Sequence, residues 1–365
     1  MRKKSDTKEQ NSSFDYAMRL FTTLLIVSLL FSCGKKKDLP DISGIEVEMD
    51  FRRFEQDFFQ IDSMQPKAGL SKIITAYPDF APLFVSNVLG LGSLNDSNPL
   101  VETGMRRFLH LNQSIYNTTK EKFSNTNDLE KELLLAFRYL KYYFPNYNIP
   151  TVYTTIGPMD ALPPLSSGEP SPNFMGTDFI AIGLQFYQGS DYPLYQEPAF
   201  VTNIVPAYRS RRFSKEYITS DIMKLVIDDI YPDSSTRLTL GEQFIEKGKR
   251  LYMLSSLLPE TNDTIITGYT SKQLDWCEEN EREIYNYFLQ QQLFYERDPS
   301  LIMPYINDGP FTQGMPEASP GNTGAFLGLQ FVKAYVKRNK DKKNPVDLLK
   351  IPAATIIKDS GYKPR

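Results

Sequence analysis

"LEKELLLAFRYLKYYFP", residues 129–145, decides the fold class. Leu129, Leu133, Phe137 and Leu140 recur at the three- and four-residue spacing that lays one apolar stripe along a helix. Pro145 lacks a backbone donor and marks where that helix stops. Working outward, Ile218, Ile222, Leu225 and Val226 form a second stripe that ends near Pro232. Thr270 and Gln273 have the spacing of a reciprocal cap, which opens a third helix with Leu274, Cys277, Ile284 and Phe288 on its inner face. "NTGAFLGLQFVKAYVKRN" (322–339) reads as a fourth, with Gly321, Gly324 and Gly328 near one face. Glycine costs a helix about 1 kcal/mol each, so close packing against a neighbour is the expected compensation. Phe51, Phe54 and Phe58 predict a further helix on the same grounds.

Strand signals are fewer. The β-branched "IPTVYTTIG" (149–157) and the apolar "DFIAIGLQFY" (178–187) are the candidates, and the proline-rich "GPMDALPPLSSGEPSPN" (157–173) reads as an exposed excursion between them. No linker, repeat or low-complexity tract follows residue 43. The expectation is therefore a helix-dominated α+β fold with a small β-sheet, in one globular domain spanning 44–365.

Ahead of that domain stands "MRLFTTLLIVSLLFSCGKKKD" (18–38). Its apolar run, Leu20 to Phe31, is shorter than the roughly 20 residues needed to span a bilayer. Preceded by Arg19, it suits the core of a secretory signal peptide. The run ends in Leu30-Phe31-Ser32-Cys33-Gly34, which resembles a bacterial lipobox. Cys33 is then expected to be the lipidated first residue of the mature chain, after an N-terminal extension and signal peptide over 1–32 and before a tether over 33–43. The leader is complete from Met18, so residues 1–17 read as an upstream extension. An exported protein anchored to the membrane through its N-terminal lipid follows. Because "GKKKD" lacks the acidic tag that resembles a surface-export signal, its domain is expected to face the periplasm. With Cys33 acylated, only Cys277 remains, so no internal disulfide forms; beside Trp276 it is expected to be buried and inert.

The composition excludes several functions. A net charge of −3 without a basic domain argues against a nucleic-acid partner. His110 is the sole histidine, which excludes any site needing two imidazoles, and it is expected to be partly buried without a companion nucleophile. No phosphate-cradling loop or dinucleotide fingerprint occurs, so neither cofactor nor metal is expected. Carboxylates gather at Asp228, Asp229 and Asp233 and again at Glu278, Glu279, Glu281 and Glu283. They are expected to form solvated faces, with carboxylate-based glycoside hydrolysis as the catalytic alternative.

Beyond these readings, the succession "RFEQDFF", "YPDF", "DFIAIGLQFYQGSDYPLY", "RRFSKEYITSDIMK", "EKGKRLYML", "GYTSKQLDWCEENEREIYNYF" and "ASPGNTGAFLGLQFVKAYVKRN" resembles GldB, a family of gliding-motility lipoproteins of Bacteroidetes. The resemblance implies a component of surface gliding in bacteria whose adhesins leave by the type IX secretion system. It also implies envelope protein partners within that machinery. A more distant resemblance is to a family of zinc-dependent proteases, in which a His-Glu-x-x-His helix grips the metal and a glutamate before a glycine completes the site. The corresponding helix here, 214–230, has no histidine, and offers Glu216, Asp221, Asp228 and Asp229 instead. Glu246, two residues before Gly248, stands as a vestigial ligand on that comparison. Together the two resemblances imply a degenerate zincin-like scaffold kept as a non-catalytic binding module. A divergent envelope peptidase and a passive structural lipoprotein are the other readings.

Overall fold

The computed structural model describes residues 39–92, 99–342 and 344–365. Cys33, the leader before it and the start of its tether lie outside the described residues. Residues Ile42–Arg365 form one compact unit, helix-dominated α+β with one small mixed sheet.

The sheet consists of β1 (Phe51–Arg52), β2 (Thr151–Thr155), β3 (Asn173–Met175) and β4 (Phe179–Gly183), in the order β1-β2-β4-β3. β2 is parallel to both β1 and β4, and β3 is antiparallel to β4. The expected helix through Phe51 is corrected here. The Asp50 carbonyl accepts from the Val152 amide at 2.8 Å and Phe51 lies in register with Val152, so ladder pairing holds this stretch extended. Only α1 (Phe54–Phe58) is helical.

Period-two alternation sends the strand side chains into two layers. Tyr153, Phe179 and Ala181 face an aromatic cluster with Phe54, Phe58, Phe80 and Phe84. Within it Phe54 meets Phe80 edge-on at 4.8 Å between ring centres, a geometry that places the positive edge of one ring on the negative face of the other. Val152, Ile180 and Ile182 face the opposite layer. That layer holds α2 (Asn127–Tyr143), whose Leu129, Leu133, Phe137 and Leu140 are all buried, and α3 (Ile218–Ile230), which buries Ile218, Ile222, Leu225 and Val226.

The C-terminal part of the unit is built around α4 (Leu240–Leu257). The helix first expected from Thr270 is two, α5 (Ser271–Glu279) and α6 (Glu281–Gln290). Its predicted cap forms, with the Thr270 side chain accepting from the Gln273 amide. The break falls at Asn280, whose side-chain amide donates to the Trp276 carbonyl at 2.8 Å. α7 (Thr323–Arg338) then lies directly on α4. A Cβ at Gly328 would stand 1.7 Å from the Phe244 carbonyl oxygen, and one at Gly248 would stand 2.3 Å from the Gly328 carbonyl carbon. Only the missing side chains let the two backbones approach so closely. Gly321 lies before the helix, against the backbone of Gly309.

Among the described residues no helix is long and apolar enough to cross a membrane.

Candidate functional site

α3 and α4 pack side by side and open a cleft of about 120 Å³ on their polar flank. α3 contributes Lys224 and α4 contributes Lys247 and Arg250, while Arg212, Asp308 and Asn322 arrive from loops. The proline-rich excursion closes one side with Leu165, Ser167 and Glu169. It is tied down by Asp228, which accepts from the Ser166 amide at 2.8 Å and from its hydroxyl. A side lobe of the cleft reaches Arg209 and Asp221, and another reaches Gly268 and Gln273.

The cations on the walls of the main cleft and its first lobe face carboxylates, whereas Arg211 in the other lobe donates to the Gly268 carbonyl and, at 3.2 Å, to Gln273 Oε1. Lys224 pairs with Asp221 at 2.9 Å, Arg250 with Asp228 at 3.1 Å, and Arg212 with Asp308, which Arg209 also approaches at 3.5 Å. Lys247 is the loosest, with Glu169 at 3.8 Å, beyond hydrogen-bond length. Burial acts to raise the Asp308 carboxyl, but Arg212, Arg209 and Lys247 outweigh it and hold the group at about 2. Asp233 is likewise lowered against burial, through hydrogen bonds at Ser235 and the fields of Arg250 and Lys247.

Two polar atoms at the cleft's edges stay unmatched. Among the described residues Arg209 Nε and Asn322 Oδ1 are buried without a hydrogen-bond partner. Asn322 stands at the start of α7 in the left-handed conformation (φ 58°), and its side chain makes no capping bond. Asparagine tolerates that backbone better than most residues.

Glu246 is not on the cleft wall. It points to the end of α3, where one oxygen accepts from the Tyr231 hydroxyl at 2.7 Å and the other from Lys249 at 2.7 Å. Lys249 also donates to the Ile351 carbonyl at 2.6 Å. Burial first, and then the bond to Glu246, push the Tyr231 hydroxyl up. The next residue along α4, Lys247, faces the cleft instead. Asp221 and Asp228 are engaged with Lys224 and Arg250, and Asp229 accepts from Tyr147 at 2.9 Å. Ammonium and guanidinium groups therefore occupy Asp221, Asp228 and Glu246, a tyrosine hydroxyl occupies Asp229, and this all-oxygen, cation-paired donor set does not fit a zinc ion. Among the described residues no group of three or more His, Cys, Asp or Glu is arranged to hold a metal.

The other expectations resolve individually. Cys277 is fully buried, and burial pushes its thiol up to about 12. His110 is exposed on the last turn of its helix rather than partly buried. Glu281 is buried and accepts from Tyr362 at 2.6 Å, so that part of the acidic run is not a solvated face. Sequence reasoning missed Arg209, Arg212, Lys247, Asp308 and Asn322. The available signal was the basic run "RSRRF" (209–213) in an acidic chain.

The family model described as "Gliding motility protein GldB" matches residues 35–364. No curated protein and no solved structure matches the chain.

Proposed function

The chain belongs to the GldB family and takes part in gliding motility; from that premise we propose that it acts as a lipid-anchored, periplasm-facing component of the gliding and type IX secretion machinery, using its cleft to hold a partner rather than to catalyse. The observation that carries the reading is the state of the cleft's polar groups. Most are mutually neutralised, whereas Lys247 lacks a close partner and Arg209 Nε and Asn322 Oδ1 have none among the described residues. Unmatched buried groups are costly; a partner offering an anionic acceptor would pair Lys247 directly, and one whose entry reopens the cleft's edges would also meet Arg209 Nε and Asn322 Oδ1. The same cations disfavour a divalent metal, which supports the non-catalytic side of the reading.

The test is complementation of a deletion strain. Asn322→Gly keeps the left-handed backbone and removes the amide, and Lys247→Glu inverts the loosest charge. The expected result is loss of spreading with the protein present at normal abundance and folded, as judged by circular dichroism. Full spreading in both variants would remove the cleft from the function. Peptide cleavage by the purified mature protein, abolished by a substitution in the cleft, would replace the binding reading with a peptidase.

A further inference from the structure

A second concavity, of about 520 Å³, lies between the C-terminal half of α7 and the end of the chain. Five of the side chains lining it are cationic: Lys333, Lys337 and Arg338 from the helix, Lys363 and Arg365 from the tail. The one acidic side chain in its lining, Glu281, is engaged by the Tyr362 hydroxyl at 2.6 Å. Among the described residues none of the five cations has an ion pair, and this in a chain whose net charge is −3.

The arrangement is held in place. The Tyr362 ring packs 4.3 Å from the Phe331 ring, and Gly361 takes a left-handed turn (φ 58°) against which the Arg338 guanidinium lies, so close that a Cβ there would meet its Nη1 at 2.2 Å. Packing thus brings the tail's cations up to those of the helix, against their repulsion. The negative end of the helix accounts for Lys337 and Arg338 in its last turn. It does not account for Lys333, Lys363 or Arg365.

We infer that this groove is a docking site for an acidic segment of a partner protein, with carboxylates on alternate residues of an extended strand. Lys333 and Lys337 are four residues apart, about 6 Å along a helix, and side chains on one face of an extended chain repeat every 6.6 Å or so. Successive same-face carboxylates therefore match successive cations. The site is concave, which suits an inserted chain better than a flat lipid surface. It does not depend on the cleft or on whether the protein catalyses anything.

The experiment is a fluorescence-anisotropy titration of the full mature chain with a labelled peptide of four Glu-Ser repeats, and with a Lys-Ser peptide as control. Lys333→Glu/Lys337→Glu is compared with Lys67→Glu/Lys72→Glu, which alters exposed lysines on a separate helix. The expected outcome is saturable, salt-sensitive binding of the acidic peptide alone, weakened about tenfold by the groove pair and less than twofold by the distant pair. Equal weakening by both pairs would reduce the effect to net charge and overturn the site. So would binding to vesicles rich in anionic lipid, lost with the groove pair, without binding of the peptide.

Discussion

Asp308→Asn tests the electrostatics on which the cleft rests. Asp308 lies against Arg212 and 3.5 Å from Arg209, and the side chains of all three are less than one-fifth exposed. Removing its charge leaves two largely buried guanidinium groups without their counter-ion, a change that costs about 3–5 kcal/mol in comparable buried pairs. Part of that cost depends on pH. A carboxyl that ordinarily titrates at 3.8 and is held at about 2 here contributes roughly 2 kcal/mol of stability when ionised. Because the folded value is the lower one, this contribution is complete above the ordinary value and fades as pH falls towards the folded value. Urea unfolding of the wild type and Asp308→Asn between pH 6 and pH 2 reads the difference directly, and other carboxylates common to both proteins cancel. The gap should be widest at pH 6, narrower by about 1 kcal/mol at pH 3 and smaller by most of 2 kcal/mol at pH 2. A gap that stays constant from pH 6 to pH 2 would refute the charge pairing.

Gly328→Ala should destabilise the protein by about 2 kcal/mol, since overpacking against the Phe244 carbonyl outweighs the helix propensity gained. A rise in melting temperature would show that α4 and α7 are not in backbone contact. In Cys33→Ser, metabolic labelling with a lipid precursor should disappear and the protein should leave the membrane fraction, and equal labelling of both forms would end the lipobox assignment. With its thiol pushed up to about 12 and no exposure, Cys277 should resist alkylation at pH 8 in the native protein and react in urea. Rapid native labelling would contradict its burial.

What the sequence determined by itself was local. The stripe of Leu129, Leu133, Phe137 and Leu140 became α2 because spacing along one segment is enough to define a buried face. The cap at Thr270 formed for the same reason, since its partners are three residues apart. The apolar run of β4 foretold a strand, and the glycines at 324 and 328 foretold a close neighbour. Phe51 was misread because helical spacing and strand pairing compete over so short a stretch, and the winner was set by Val152, about a hundred residues away. Beyond the basic run at 209–213, the cleft left no mark on the sequence. Arg212 and Asp308 are 96 positions apart, and nothing in either segment announces the other. On α4 the distant protease resemblance drew attention to Glu246, yet one residue's rotation about the helix put Lys247 on the cleft and Glu246 against Tyr231. Periodicity reports which face of a helix is buried, but only packing decides which of two adjacent charged residues meets the cleft, and long-range charge pairs exist only once the chain has closed on itself.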